Sequence, residues 1–226
     1  MQAPPPLSRC LRPQPDPCAD KPQFMRVDLH EKLESFFLEM VMCACKVYDT
    51  DYDLACAIKQ CLDKKFGPEW HVIVGEKFGS HIEHQPKAFA HILYQGRSFL
   101  ICRHIKQFID DHRAHMNIQR TQVKPPDSIC IQYCDKGPCE DKPKLIRSDI
   151  NEKLEAFFLE MVVSACKIYE DDYDLACAIK RCLDKKFGPQ WHVIVGEMFG
   201  SHFEHQPKSF VYINHKGKFF LMFRFG

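Results

Sequence analysis

Apolar residues recur every three or four positions at Leu29, Leu33, Phe36, Phe37, Met40, Val41 and Ala44, the stripe by which an amphipathic helix faces a core. Asp28 with Glu31 suits a capping box at its start. A second helix is expected from near Asp51, burying Leu54, Ile58 and Leu62 and ending at Gly67-Pro68, where proline cannot continue the ladder. Beyond that point the period changes to two. Trp70 to Gly75, Phe78 to His84, Phe89 to Tyr94 and Phe99 to Cys102 read as four short strands, with Gly96 turning the last hairpin. Two helices followed by a four-stranded antiparallel sheet predict a small α+β domain whose helices cover one face.

The pattern occurs twice. Asp20 to Ile105 aligns without a gap on Asp141 to Gly226 at a constant offset of 121, with 58 of 86 pairs identical, so Trp70 falls on Trp191, Gly96 on Gly217 and Arg103 on Arg224. The chain therefore divides into a Pro-rich tail (1–19) expected to be disordered, a first copy (20–105), a linker (106–140) and a second copy (141–226). As a flexible chain the linker spans roughly 30 Å, and tethering at that length gives an effective concentration on the order of millimolar. This predicts that the two copies pair within one chain as a pseudo-dimer. The rival is pairing between chains.

Composition narrows the function. Thirty-one basic residues against thirty acidic ones leave a net charge of +1, without the basic excess that phosphate backbones require, so nucleic acid is not expected as a partner. No run of eighteen apolar residues occurs and the first twenty-two residues lack an apolar leader core, so the protein is read as soluble and not secreted, with no membrane partner. Thirteen cysteines, an odd number mostly set in helical patterns, read as reduced and buried thiols.

The pattern DxAxxIKxxxDKKFGPxWHxIVGxxFGSxxxH, carried between Asp51 and His84 and again between Asp172 and His205, closely resembles the cytoplasmic dynein light chain type 1 family. The resemblance implies a non-catalytic hub with no cofactor, located in the cytoplasm on microtubule-associated dynein. Members pair about a two-fold axis, and each interface groove takes an extended peptide as an added strand. Its partners are dynein intermediate chain and other proteins with short disordered motifs centred on a Gln flanked by Thr. An open sheet edge gives physical sense to this, since its unpaired N–H and C=O groups offer a ladder and the adjoining pockets sort side chains.

By position, the peptide-binding strand is Phe78, Gly79, Ser80, His81, Ile82, Glu83 and His84 in copy one, and Phe199, Gly200, Ser201, His202, Phe203, Glu204 and His205 in copy two. Phe89 and Leu100, with Phe210 and Leu221, would wall the grooves. The partner's Gln amide would sit at a helix N-terminus near Asp51 and Tyr52 or Asp172 and Tyr173, where backbone N–H groups lack intrahelical acceptors. The family has Tyr and Thr where this chain has His81 and Glu83, and again His202 and Glu204, and an aromatic groove position is His91 or Leu93. Two Glu near the axis are expected to repel, offset by His81 pairing with His202. The family's phosphorylatable Ser is replaced by His104 and Phe225.

Other chemistries stay open at this level. Thr121-Gln122-Val123 in the linker resembles the groove motif and could occupy a groove itself, after a short helix carrying Ile105, Phe108, Ile109 and Met116. Cys130, Cys134 and Cys139, with His112 or His115, are a loosely spaced zinc candidate. His81, Glu83 and His84 suggest a metal or acid–base site, though alternation sends His84 to the opposite strand face. A thiol-dependent protein would use Cys102 with His104. Trp70 and Trp191 read as packing residues.

Overall fold

In the computed structural model, the described residues are 21–104, 129–131 and 142–225. Copy one runs β1 (Gln23–Leu29), α1 (Glu31–Cys45), α2 (Asp51–Phe66), β2 (Trp70–His81), β3 (Ala88–Tyr94) and β4 (Arg97–Arg103). A short strand β5 (Ile129–Ile131) follows. Copy two repeats the order as β6 (Lys144–Ser148), α3 (Glu152–Cys166), α4 (Asp172–Phe187), β7 (Trp191–Phe203), β8 (Phe210–His215) and β9 (Lys218–Arg224). The α+β, two-copy architecture is the one the periodicity predicts.

Local signals explain most boundaries. Thr50 caps α2 by accepting from the Asp53 amide at 3.0 Å, and Asp171 caps α4 by accepting from the Tyr173 amide at 2.8 Å. Both helices stop at a glycine in the left-handed region, Gly67 and Gly188. The last hairpins turn on Gln95-Gly96 and Lys216-Gly217, with positive φ at both residues of each pair, the geometry that matches strand twist.

Three details differ from the reading of the sequence. First, each copy opens with an extra strand, so Leu29 is the buried end of β1 and α1 starts at Glu31 behind His30, which makes no side-chain cap. Asp28 therefore does not cap α1. Held extended by β1, its carboxylate instead accepts from the Lys87 amide at 3.1 Å. Second, the first two expected strands are one continuous strand in each copy, β2 and β7, kinked by register shifts around Gly75, Lys77 and Phe78. Third, the eight free cysteines among the described residues are not uniformly buried: Cys102 and Cys177 are, whereas Cys43, Cys61 and Cys182 lie on outer helix faces.

The long strands organise everything else. Residues 72–75 of β2 lie between β4 and residues 199–202 of β7, while residues 193–196 of β7 lie between β9 and residues 78–81 of β2. Each half of the nine-stranded sheet is thus completed by a segment from the other copy. One face of each half packs on its own helices, around Phe37 and Trp70 or Phe158 and Trp191. Opposite faces meet in a third core that mixes the copies, with Ile73 and Cys102 against Ile194, Phe203 and Phe223. Closing the linker costs about 3 kcal/mol of chain entropy. Burying one large apolar side chain returns ~1.5–3 kcal/mol, so two or three of these contacts offset that closure cost.

Candidate functional site

Each crossing strand runs over a helix N-terminus of the other copy. At Gly200 any Cβ would fall on the backbone of Asp51 and Tyr52, and at Gly79 on that of Asp172 and Tyr173. Only glycine permits this approach. The result is two composite clefts, one between the outer edge of β7 and the start of α2, the other between the outer edge of β2 and the start of α4. The helix starts give each cleft the positive end of a helix dipole, suited to a carbonyl oxygen. Arg97 steadies the first by pairing with Asp51 at 3.0 Å and donating to the Asp49 carbonyl at 2.6 Å; Lys218 steadies the second through Asp172 at 2.7 Å. Burial raises the Asp51 carboxyl above its ordinary value, with Arg97 acting against the rise.

The sequence-level electrostatics need correcting. Glu83 and Glu204 do not repel across an axis, because each meets a buried lysine from the other copy's second helix. Lys180 lies 2.8 Å from Glu83 and 2.7 Å from Asp184, and Lys59 lies 3.1 Å from Glu204 and 2.6 Å from Asp63. Nor do His81 and His202 pair. The antiparallel register sets His81 beside Val193 and His202 beside Val72, at opposite ends of the crossing. His81 instead puts Nδ1 3.0 Å from the Cys177 thiol, and burial holds both imidazoles below their ordinary pKa, His202 at about 4.

The remaining expected residues divide between cleft and core. Phe78 and Phe199 face each other at the crossing, with ring centroids 6.2 Å apart. Ser80 and Ile82 are half-buried, and their counterparts Ser201 and Phe203 are buried. Phe89, Leu100, Phe210 and Leu221 belong to the third core, with the His84 ring stacked on Phe89 at 4.6 Å and the His205 ring tilted against Phe210 at 5.3 Å. β2 ends at His81, so strand alternation does not reach His84; the separation of the acid–base triplet comes instead from His84 stacking on Phe89 while His81 meets Cys177. His91 is half-buried and Leu93 exposed.

Two features were not legible. The first is β5, which adds antiparallel to the outer edge of β7, with Ile129 opposite Phe203, Cys130 opposite His202 and Ile131 opposite Ser201, and lies against α2. Along the matching edge of β2 no strand runs among the described residues. The second is a buried histidine cluster: the ring of His104 lies 4.1 Å from those of both His71 and His192. Burial holds all three neutral, His71 and His192 well below their ordinary values and His104 at about 3. The Cys102 thiol is pushed up to about 12 by burial, so neither partner of the imagined Cys102–His104 dyad is poised for thiolate chemistry. Among the described residues no group of three His, Cys, Asp or Glu could hold a metal ion. Thr121-Gln122-Val123, the helix at Ile105 to Met116, and His112, His115, Cys134 and Cys139 lie outside the described residues.

A family model for dynein light chain type 1 matches residues 21–111 and again 142–225. The chain is a tandemly duplicated member of the dynein light chain type 1 family. Relatives include a dynein light chain of Schistosoma mansoni, 31% identical over 87 residues that cover 38% of this chain and 98% of the relative. A cytoplasmic dynein light chain 1 of Debaryomyces hansenii is 36% identical over 87 residues, 38% of this chain and 96% of the relative. Dynein axonemal light chain 4 of Homo sapiens is 36% identical over 72 residues, 31% of this chain and 69% of the relative. The family consists of non-catalytic structural subunits of dynein, and the duplication places two such domains in one polypeptide.

Proposed function

We propose that this light chain is a non-enzymatic adaptor in the cytoplasm, on microtubule-associated dynein, that binds extended Gln-centred segments of dynein intermediate chain and other disordered partners by strand addition at its two composite clefts. The observation that carries this reading is β5, a short extended segment seated as an added antiparallel strand on β7 and against α2. A client takes the same place: its backbone continues the ladder, and its Gln amide sits at the positive start of α2, near Asp51 and Tyr52, or of α4, near Asp172 and Tyr173. The chain's own strand is followed directly by Gln132. His81 and His202, in place of the family's Tyr, and Glu83 and Glu204, in place of its Thr, alter the pockets on either side, so client preference departs from that of single-domain members.

Fluorescence anisotropy with a labelled synthetic peptide carrying a Gln flanked by Thr tests the reading. Saturable binding that falls at least ~10-fold when the peptide's Gln becomes Ala is expected. Binding indifferent to that change, or no saturable binding at any peptide concentration, overturns it. A pull-down from lysate should recover dynein intermediate chain.

A further inference from the structure

The strand that covers β7 comes from just upstream of its own copy, and the sequence upstream of copy one repeats it. Pro125-Pro126-Asp127-Ser128-Ile129-Cys130-Ile131 is matched by Pro5-Pro6-Leu7-Ser8-Arg9-Cys10-Leu11, with Pro, Pro, Ser and Cys identical and Ile131 answered by Leu11. The tethers match as well. Lys142 lies eleven positions after Ile131, and Lys21, the equivalent position in copy one, ten positions after Leu11. Either stretch reaches about 33–40 Å when extended.

We infer that the outer edge of β2 is the seat of the N-terminal segment Ser8–Leu11, as the outer edge of β7 is the seat of β5, so that each copy carries its own covering strand and a client binds by displacing it. The inference rests on the strand-addition reading above. Carrying the covered positions of β7 back by the repeat offset of 121, and β5 back by the 120 of the Pro-Pro match, sets Arg9 opposite Ile82, Cys10 opposite His81 and Leu11 opposite Ser80, the shorter tether absorbing the one-residue difference. Charge agrees with the placement. Arg9 replaces the apolar Ile129 in the one cleft whose neighbouring glutamate, Glu83, is 54% exposed, while Glu204 in the covered cleft is 17% exposed. An uncovered strand edge also invites pairing between molecules, which a tethered strand prevents. At an effective concentration on the order of millimolar, such a strand raises the client concentration needed for occupancy without abolishing binding.

Hydrogen exchange on the full-length chain separates the outcomes. In the unsubstituted protein, segments 78–82 and 199–203 should both be protected. Replacing Cys10 and Leu11 together by proline removes the tail's donors and should speed exchange in 78–82 by at least ~10-fold while leaving 199–203 unchanged; Cys130→Pro with Ile131→Pro should do the reverse. Exchange in 78–82 that ignores the tail substitution overturns the inference. So does protection of 78–82 that fades on dilution, which assigns the edge to a second copy of the chain. The labelled Gln peptide is then added to the chain carrying all four prolines. Protection of both segments upholds strand addition whatever the tail does, whereas its absence rejects the client reading while the tail result stands.

Discussion

The outer edges of β2 and β7 carry the same Phe-Gly-Ser-His run, yet they sit in different surroundings. Ser201 and His202 are buried under β5, while Ser80 and His81 are half-exposed among the described residues. The one replacement in the run that follows, Ile82 to Phe203, sits where the covered edge meets the third core. The comparison teaches that burial here is a property of the neighbour, not of the residue. Duplicated sequence supplies two closely similar clefts, and among the described residues a segment outside the duplicated domain covers one of them.

The largest expected effect tests what the clefts share. Gly79 and Gly200 both press on a helix start, so Gly79→Val and Gly200→Val should each cost about 3 kcal/mol or more, read as a fall in the urea midpoint. A cost confined to Gly200 would mean that β5, and not the backbone approach, sets the constraint.

Next comes pH, where copy one differs by carrying His104 at the position of Phe225. His71, His104 and His192 are neutral when folded, with pKa values held below the unfolded value near 6.5. Between those limits the unfolded chain binds more protons, so stability is full above about pH 6.5 and falls as pH drops, with a slope of up to about 1.4 kcal/mol per pH unit for each histidine. Denaturation curves from pH 7.5 to 4.5 should show this loss, and His104→Phe, which copies the other half, should remove one group's share of the slope. An unchanged slope would show that His104 does not titrate with the cluster.

A smaller difference is expected at the lysine pairs. Glu204→Gln should cost about 1–2 kcal/mol, because Lys59 is buried and would keep only Asp63. Glu83→Gln should cost less, since Glu83 is largely in water. Equal costs would sink the claim that the two clefts differ electrostatically. The smallest effect expected is none: light scattering over a concentration series should return one chain mass throughout, and a constant mass near twice that value would reject pairing within the chain.

Much of this was readable before any coordinates. The stripe through Phe37 and Met40, the Gly67-Pro68 stop and the Gln95-Gly96 turn are local signals, and local signals survive translation into structure. Asp28 misled because a carboxylate three residues before a glutamate suits a cap equally well in a strand that ends just there. Lys59 and Lys180 were invisible as cleft residues, since a lysine on a helix ordinarily belongs to the solvated face. Their partners lie 145 and 97 residues away, a separation to which no periodicity is sensitive.

The sequence by itself determined the four helices, the last hairpin of each copy, the duplication and the family, because each of these depends on spacing along the chain. Only the tertiary structure decided that β2 and β7 exchange their outer halves, that every cleft borrows its helix start from the other copy, and that β5 covers one edge. Those outcomes depend on which hydrogen-bonding edges meet once the apolar faces are buried, and that choice is made between segments far apart in the chain.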